Sequence, residues 1–256
     1  MLPRASLLQR FLLQQSVDLD RKSTMTNTPA TLHASVDELV AAARALVSAG
    51  RRHVLGITGT PGAGKSTVSD ALITALGDDA VLVGMDGFHL SNRQLLRLGR
   101  SERKGAPDTF DVAGYKSTLE RVRDARETVY APVFDRRIEE SIAAVAAVGP
   151  DVPLVITEGN YLLLDEHGWA GVRPLLDTVW FVDVSPEERQ RRLQARRRSH
   201  GHAADAAAAW VNAVDEPNAQ LVEVTRSTAD VIVQLALDPV PTPGVTLPTR
   251  TEGAPA

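Results

Sequence analysis

The stretch HVLGITGTPGAGKST, residues 53–67, decides the fold. Its first six residues are almost all apolar, the composition of a strand buried on both faces of a parallel sheet. The next eight, Gly59 to Ser66, match G-x-x-x-x-G-K-[ST]. Glycines let backbone N–H groups curl around an anion with no Cβ in the way. A helix starting at Lys65 aims the positive end of its dipole at the same place. Gly59, Thr60, Pro61, Gly62, Ala63, Gly64, Lys65, Ser66 and Thr67 therefore form the expected phosphate cradle. The Lys65 ammonium is to reach the β- and γ-phosphates and the Ser66 hydroxyl to ligate Mg²⁺. The loop predicts nucleoside triphosphate binding and is silent about the reaction.

Working outward, further apolar runs fall at 80–86, 153–159, 178–184 and 230–235. Helical spacing is expected over 36–47 with Ser35 as cap, 65–76, 112–125 capped by Asp111, and 186–198 behind Ser185 and Pro186, then near 203–214 and 217–228. Strands alternating with helices give an α/β fold with helices on both faces of a mostly parallel sheet. Residues 128–135 and 136–148 read as two strands of a small excursion. Ligands in such folds bind at the carboxyl ends of the strands.

Bulk properties narrow the function. The 256 residues suffice for one sizeable α/β domain, and a hydrophobic share of 43% with a charged share of 23% is that of a soluble globular protein. A net charge of -4 argues against a general nucleic-acid or anionic-membrane role. The absence of cysteine excludes disulfides, thiolate zinc sites and a cysteine nucleophile, and fits a cytoplasmic setting. No apolar stretch approaches the roughly 20 residues that cross a bilayer. The start, MLPRASLLQRFLLQQ, has an apolar patch broken by Arg10, Gln14 and Gln15 and lacks a small-residue cleavage site, so it does not read as a secretory signal. Met25 is taken as the working start, with residues 1–30 a disordered extension, 31–237 the folded domain and 238–256 a disordered tail rich in Pro and Thr.

The strand ends carry the candidate chemistry. Asp86, in MDGFHLSN, is either the general base for an acceptor hydroxyl or a Mg²⁺ holder through water; the bland alternative is a turn cap before Gly87. Glu158 closes LVITE, the Walker-B pattern with Glu in place of Asp, to order the metal's waters or assist at the acceptor. Arg189, Arg192 and Arg196 share one helix face, either a lid over the γ-phosphate or a solvated basic face. The segment 87–110 is too long for a plain connector. With the 128–148 excursion it offers His89, Arg103, Lys104, Tyr115, Asp135 and Arg136 as residues for a polyhydroxylated or carboxylated acceptor, against the alternative of a charged surface loop.

No N-K-x-D guanine reader is present, which argues against a regulatory GTPase. A small chain with a long acceptor-side loop, a strand-end Asp and an Arg-rich helix reads as a small-molecule kinase. The competing readings are a regulatory ATPase and a nucleic-acid-dependent one.

GTPGAGKST, MDGFHLSNRQLLRLGRSERKGAPDTFD, YAPVFDR and ITEGNYLLL together resemble the kinase family of phosphoribulokinase, uridine kinase and type I pantothenate kinase. PVFDRRIEE, RRLQARR and DEPNAQLV are similar to its nucleoside/nucleotide kinase, or fructose-kinase-like, branch. The resemblance spans about residues 50–235. It implies a P-loop NTP hydrolase fold with a five-stranded parallel core and a helical lid, ATP and Mg²⁺ as cofactors, and transfer to a small-molecule hydroxyl. It implies Lys65 and Ser66–Thr67 at phosphate and metal, Asp86 as base, Glu158 as the family's strand-end acid, and Arg192 or Arg196 as lid arginines; with the residue reading above, Ser66, Glu158 and Asp86 are the metal candidates. A monomer or homodimer without nucleic-acid or membrane partners is expected. Pantothenate kinases carry a tyrosine-serine-histidine stretch where this chain has Phe134-Asp135-Arg136, and uridine kinases a histidine-rich one, so the acceptor stays open among sugar, nucleoside and pantothenate-like molecules.

Overall fold

A computed structural model describes residues 28–124 and 126–236; the expectations for 1–24 and 238–256 lie outside these residues. In chain order the strands and helices are β1 (Ala30–Ala34), α1 (Val36–Val47), β2 (His53–Thr58), α2 (Lys65–Leu76), β3 (Ala80–Leu82), α3 (Asn92–Arg97), α4 (Val112–Asp124), β4 (Val129–Asp135), β5 (Glu140–Val148), β6 (Leu154–Glu158), β7 (Thr178–Asp183), α5 (Pro186–Ser199), α6 (Ala204–Trp210), α7 (Glu216–Glu223) and β8 (Val231–Leu235).

Six strands form one sheet in the order β1-β8-β7-β2-β6-β3, every pair parallel. Alternation along the strands sorts side chains to two faces. Val54, Val155, Val179 and Ile232 join the core beneath α4 and the β4–β5 hairpin. Leu55, Ile57, Ile156, Trp180 and Val233 join the core beneath α1 and α2. Both faces are covered, so β2 is buried at all six positions, as its apolar run predicts.

The five-stranded core expected from the family resemblance is corrected to six. The extra strand, β1, sits at the sheet edge and pairs only with β8. Its sequence, ATLHA, alternates between half-buried and exposed positions up to the buried Ala34 and has no apolar run to announce it. A second difference is that β3 stops at Leu82 and residues Met85–Phe88 form a 3-10 turn. Asp86 is therefore presented by a turn just beyond the strand. The expected helix over 203–214 breaks into α6 and a π-helical turn, Val211–Asp215, that runs into α7.

Local signals at the helix starts hold. Ser35 and Glu38 form a reciprocal capping box on α1. Asp111 Oδ1 accepts from Gly114 N–H at the head of α4, and Ser185 Oγ accepts from Glu188 N–H with Pro186 in the first turn of α5.

Candidate active site

The loop 59–64 leaves β2 at the centre of the sheet. Gly64 has φ +102°, a left-handed conformation that releases the chain into α2. The first helical bond of α2 runs from Val68 N–H to the Gly64 carbonyl, so the N–H groups of residues 65–67 face out of the helix start with no partner inside it. Lys65 is 7% exposed and its Nζ donates to the Thr60 carbonyl at 3.1 Å. Burial lowers its pKa, the nearby Glu158 and Asp86 carboxylates oppose that, and Arg196 adds to it.

Parallel pairing of β2 with β6 sets Ile57 opposite Glu158. This register brings the Glu158 carboxylate to Ser66, whose Oγ donates to Oε2 at 3.1 Å. Burial raises the Glu158 pKa and the Lys65 charge opposes the rise. Asp86 belongs to the same electrostatic cluster, because its charge is felt by both Lys65 and Glu158. Ser66, Glu158 and Asp86 thus supply a hydroxyl and two carboxylates beside the phosphate cradle, a hard oxygen donor set that suits Mg²⁺. Among the described residues no group of three or more His, Cys, Asp or Glu could hold a metal alone. An ion here would complete its shell with water and phosphate oxygens, as Mg²⁺ prefers.

The Asp86 turn is fixed by the hairpin. A Cβ on Gly87 would collide with the Pro132 carbonyl, so glycine is what lets β4 lie against this turn. The hairpin is also tied to the long loop: Asn92 N–H donates to Glu140 Oε1 at 3.0 Å, and Ser141 Oγ to the His89 carbonyl at 3.2 Å. From the hairpin tip Arg136 reaches back, and its Nη2 donates to Asp86 Oδ2 at 2.8 Å.

The other residues expected at the acceptor divide. Tyr115 is corrected: it is 0% exposed, and since Thr157 Oγ1 gives its proton to the Val83 carbonyl, Tyr115 donates its hydroxyl proton to Thr157. It braces α4 against β6 and meets no open space. His89 is likewise a loop brace. Its Nδ1 lies 2.8 Å from the Asp86 carbonyl, and its ring packs on Phe110 and Phe134 at centroid distances of 4.1 and 4.7 Å. Burial lowers its pKa and favours the neutral ring, whose Nδ1–H then donates. Arg103 is paired with Asp108 inside the 87–110 loop. Asp135 receives Arg137 through Nη2 at 2.7 Å, Nε at 3.2 Å and the backbone N–H at 2.8 Å. Lys104 donates to Asn92 Oδ1 at 2.7 Å and to the Glu139 carbonyl, 5.1 Å from the Phe134 ring centre. Phe134, not among the acceptor residues expected from sequence, is the plate beneath Lys104, Arg136 and His89. Its one sequence signal was its place in the quoted PVFDR run.

Of the six arginines of α5, the three singled out for the lid have three fates. Arg189 is 4% exposed and pairs with Glu216 of α7 at 2.7 Å, a structural role. Arg192 pairs with Glu188 at 2.7 Å and its Nη1 donates to the Ala63 carbonyl at 3.3 Å, so it lies on the phosphate loop. Arg196 is exposed, and its charge acts on Lys65. On this side a cleft of 280 Å³ opens between Ala63, Glu188 and Arg192 and the strand ends at His33, Asp183 and Gln234.

The family model described as "Phosphoribulokinase / Uridine kinase family" matches residues 54–239. The chain belongs to this family. A second model, "Methylmalonyl Co-A mutase-associated GTPase MeaB", matches only residues 19–85, where the phosphate loop lies. Among solved structures, a "putative fructose transport system kinase" from Silicibacter sp. TM1040 is 36% identical with a TM-score of 0.71, covering 78% of this chain and 98% of its own. The "ATP-dependent kinase-like protein notR'" of Aspergillus versicolor is 36% identical over 133 residues, 49% of this chain and 77% of its own length. The "Uncharacterized protein YggC" of Escherichia coli is 32% identical over 199 residues, 76% of this chain and 82% of its own. The chain is accordingly an ATP-binding kinase that transfers phosphate to a hydroxyl of a small molecule. Among the described residues no helix is long and apolar enough to cross a membrane.

Proposed function

We propose that this kinase, formed by residues 31–237, uses Asp86 as general base toward a hydroxyl of a sugar or sugar-like acceptor, with ATP as donor and Mg²⁺ held at Ser66, Glu158 and Asp86. The observation that carries the reading is the gathering of Asp86, Lys65 and Glu158 into one charged cluster beside the phosphate loop, with the Asp86 turn facing the hairpin. The sugar-like choice draws on the Silicibacter neighbour's name and on Arg136 standing where pantothenate kinases carry histidine.

The acceptor enters between the 87–110 loop and the hairpin, over Phe134. Asp86 takes the hydroxyl proton as the oxygen attacks the γ-phosphate in line. Lys65, released from the Thr60 carbonyl, neutralises the spreading phosphoryl charge, and Arg192 and Arg196 approach from α5. Mg²⁺, held by Ser66, Glu158 and Asp86, would supply Lewis-acid polarisation of the phosphoryl group. The cleft beside Ala63 takes the nucleoside part of the donor.

The test is ADP release against a panel of ketoses, aldoses, nucleosides and pantothenate, with each product weighed by mass spectrometry. Strong stimulation by one class, lost in Asp86→Asn, is expected. A slow background unaffected by every acceptor and unchanged in Asp86→Asn would overturn the reading.

A further inference from the structure

The basic residues of the acceptor side spend their donors unequally. Arg137 lays Nε and Nη2 on the Asp135 carboxylate. Arg103 and Arg100 are both paired with Asp108. Lys104 gives two of its three N–H groups to Asn92 and Glu139. Arg136 makes one side-chain bond among the described residues, from Nη2 to Asp86 Oδ2, although a guanidinium carries five donors in a planar fork. Its side chain is 61% exposed, so the remaining donors face accessible space. They do so beside the carboxylate that acts on the acceptor.

The placement is built. Gly87 sets the hairpin against the Asp86 turn, Asn92 and Ser141 tie it to the long loop, and Arg136 lies 5.8 Å from the centre of the Phe134 ring. An ion pair that served only to fasten the hairpin would do so best with both forks engaged, as Arg137 does with Asp135. A pair engaged at one corner leaves a charged planar edge to grip a second oxyanion.

We propose that Arg136 is a specificity-determining residue that binds an anionic oxygen group, carboxylate or phosphate, on the acceptor, while its Nη2 keeps hold of Asp86. The guanidinium then works as a ruler. One end fixes the base, the other fixes the anion, and the acceptor hydroxyl lies between them, a few bonds from the charged group. Neutral polyols of the same size lack the second grip. This rests on the kinase reading above and narrows its acceptor class to hydroxy acids or sugar phosphates.

The experiment has two arms. In the first, the phosphate loop is filled with a non-hydrolysable ATP analogue and Mg²⁺, and inorganic phosphate or acetate is titrated by calorimetry at low salt. Binding is expected in the wild type and should weaken about 10- to 100-fold in Arg136→Gln. Arg136→Lys should restore part of it, and Arg137→Gln should change it less than about 2-fold, because Arg137 is spent on Asp135. In the second arm, hydroxy acids, sugar phosphates and neutral polyols are compared as acceptors. The carboxylated or the phosphorylated class should be preferred, which identifies the anion's source, and Arg136→Gln should raise KM for it far more than it lowers kcat. No anion binding, or equal binding in Arg136→Gln, overturns the proposal, as does a neutral polyol as best acceptor. Intact anion binding with no acceptor phosphorylated would leave the anion site standing and overturn the proposed acceptor class instead. Circular dichroism of each variant excludes a folding defect.

Discussion

The donor side and the acceptor side of this site are built on opposite principles. On the donor side, one continuous segment supplies nearly everything: β2, the loop 59–64 and the start of α2 present backbone N–H groups, with Lys65 and Ser66 in the same run. On the acceptor side, the parts come from a turn at 85–88, a long loop and a hairpin, held to one another by side-chain bonds and ion pairs. A local motif carries its own geometry; an assembled pocket exists only where its pieces meet. The first should tolerate change nearby and fail when its own residues change. The second should be vulnerable at its joints.

The largest effect should fall where the two sides meet. Asp86→Asn should lower turnover about 100-fold or more while the nucleotide still binds; product formation and nucleotide binding measured on the same preparation check both halves. An unchanged turnover would leave the Asp86–Arg136 pair a purely structural joint. Next, Gly87→Ala should destabilise the protein by about 1–3 kcal/mol, since the new Cβ meets the Pro132 carbonyl, while Gly84→Ala, with nothing within 4 Å, should stay within about 0.5 kcal/mol. Denaturant midpoints compare the two, and equal values would mean the hairpin is loosely seated. Tyr115→Phe should cost about 1–2 kcal/mol of stability and leave acceptor KM alone. A KM change larger than the stability loss would return Tyr115 to the pocket wall. The smallest effect concerns the hairpin tip. The Arg137 hydrogen bonds hold Asp135 down, to about 2. A depressed carboxylate stabilises above its ordinary pKa of 3.8 and loses that contribution as pH falls towards about 2. Following the Asp135 carboxyl by NMR should show that shift, and Arg137→Gln should shrink it, the backbone N–H bonds to the carboxylate keeping the remainder.

These contrasts also explain what could be read in advance. Ser35, Asp111 and Ser185 were legible because a cap acts within three residues of itself. β2, β6 and β7 were legible because a strand covered on both faces must be apolar throughout. β1 was not, because an edge strand owes its place to a partner some two hundred residues away. His89 and Arg103, in the long loop, and Tyr115, just beyond it on α4, looked like binding residues because polar groups crowded together suggest a ligand. The tertiary structure spends them instead on the Asp86 carbonyl, Thr157 and Asp108. Arg189, Arg192 and Arg196 share a face by helical period, yet only packing against α7 decides that Arg189 serves Glu216 while Arg192 rests on the loop.

By itself the sequence determined the α/β class, the phosphate loop and the acid at the end of β6, each a matter of neighbours along the chain: apolar runs, glycines and a helix start. The tertiary structure alone decided which charged groups are already paired and which still hold open donors. Pairing depends on distances between segments far apart in sequence, and a guanidinium half engaged with a carboxylate has the same one-letter code as one fully spent.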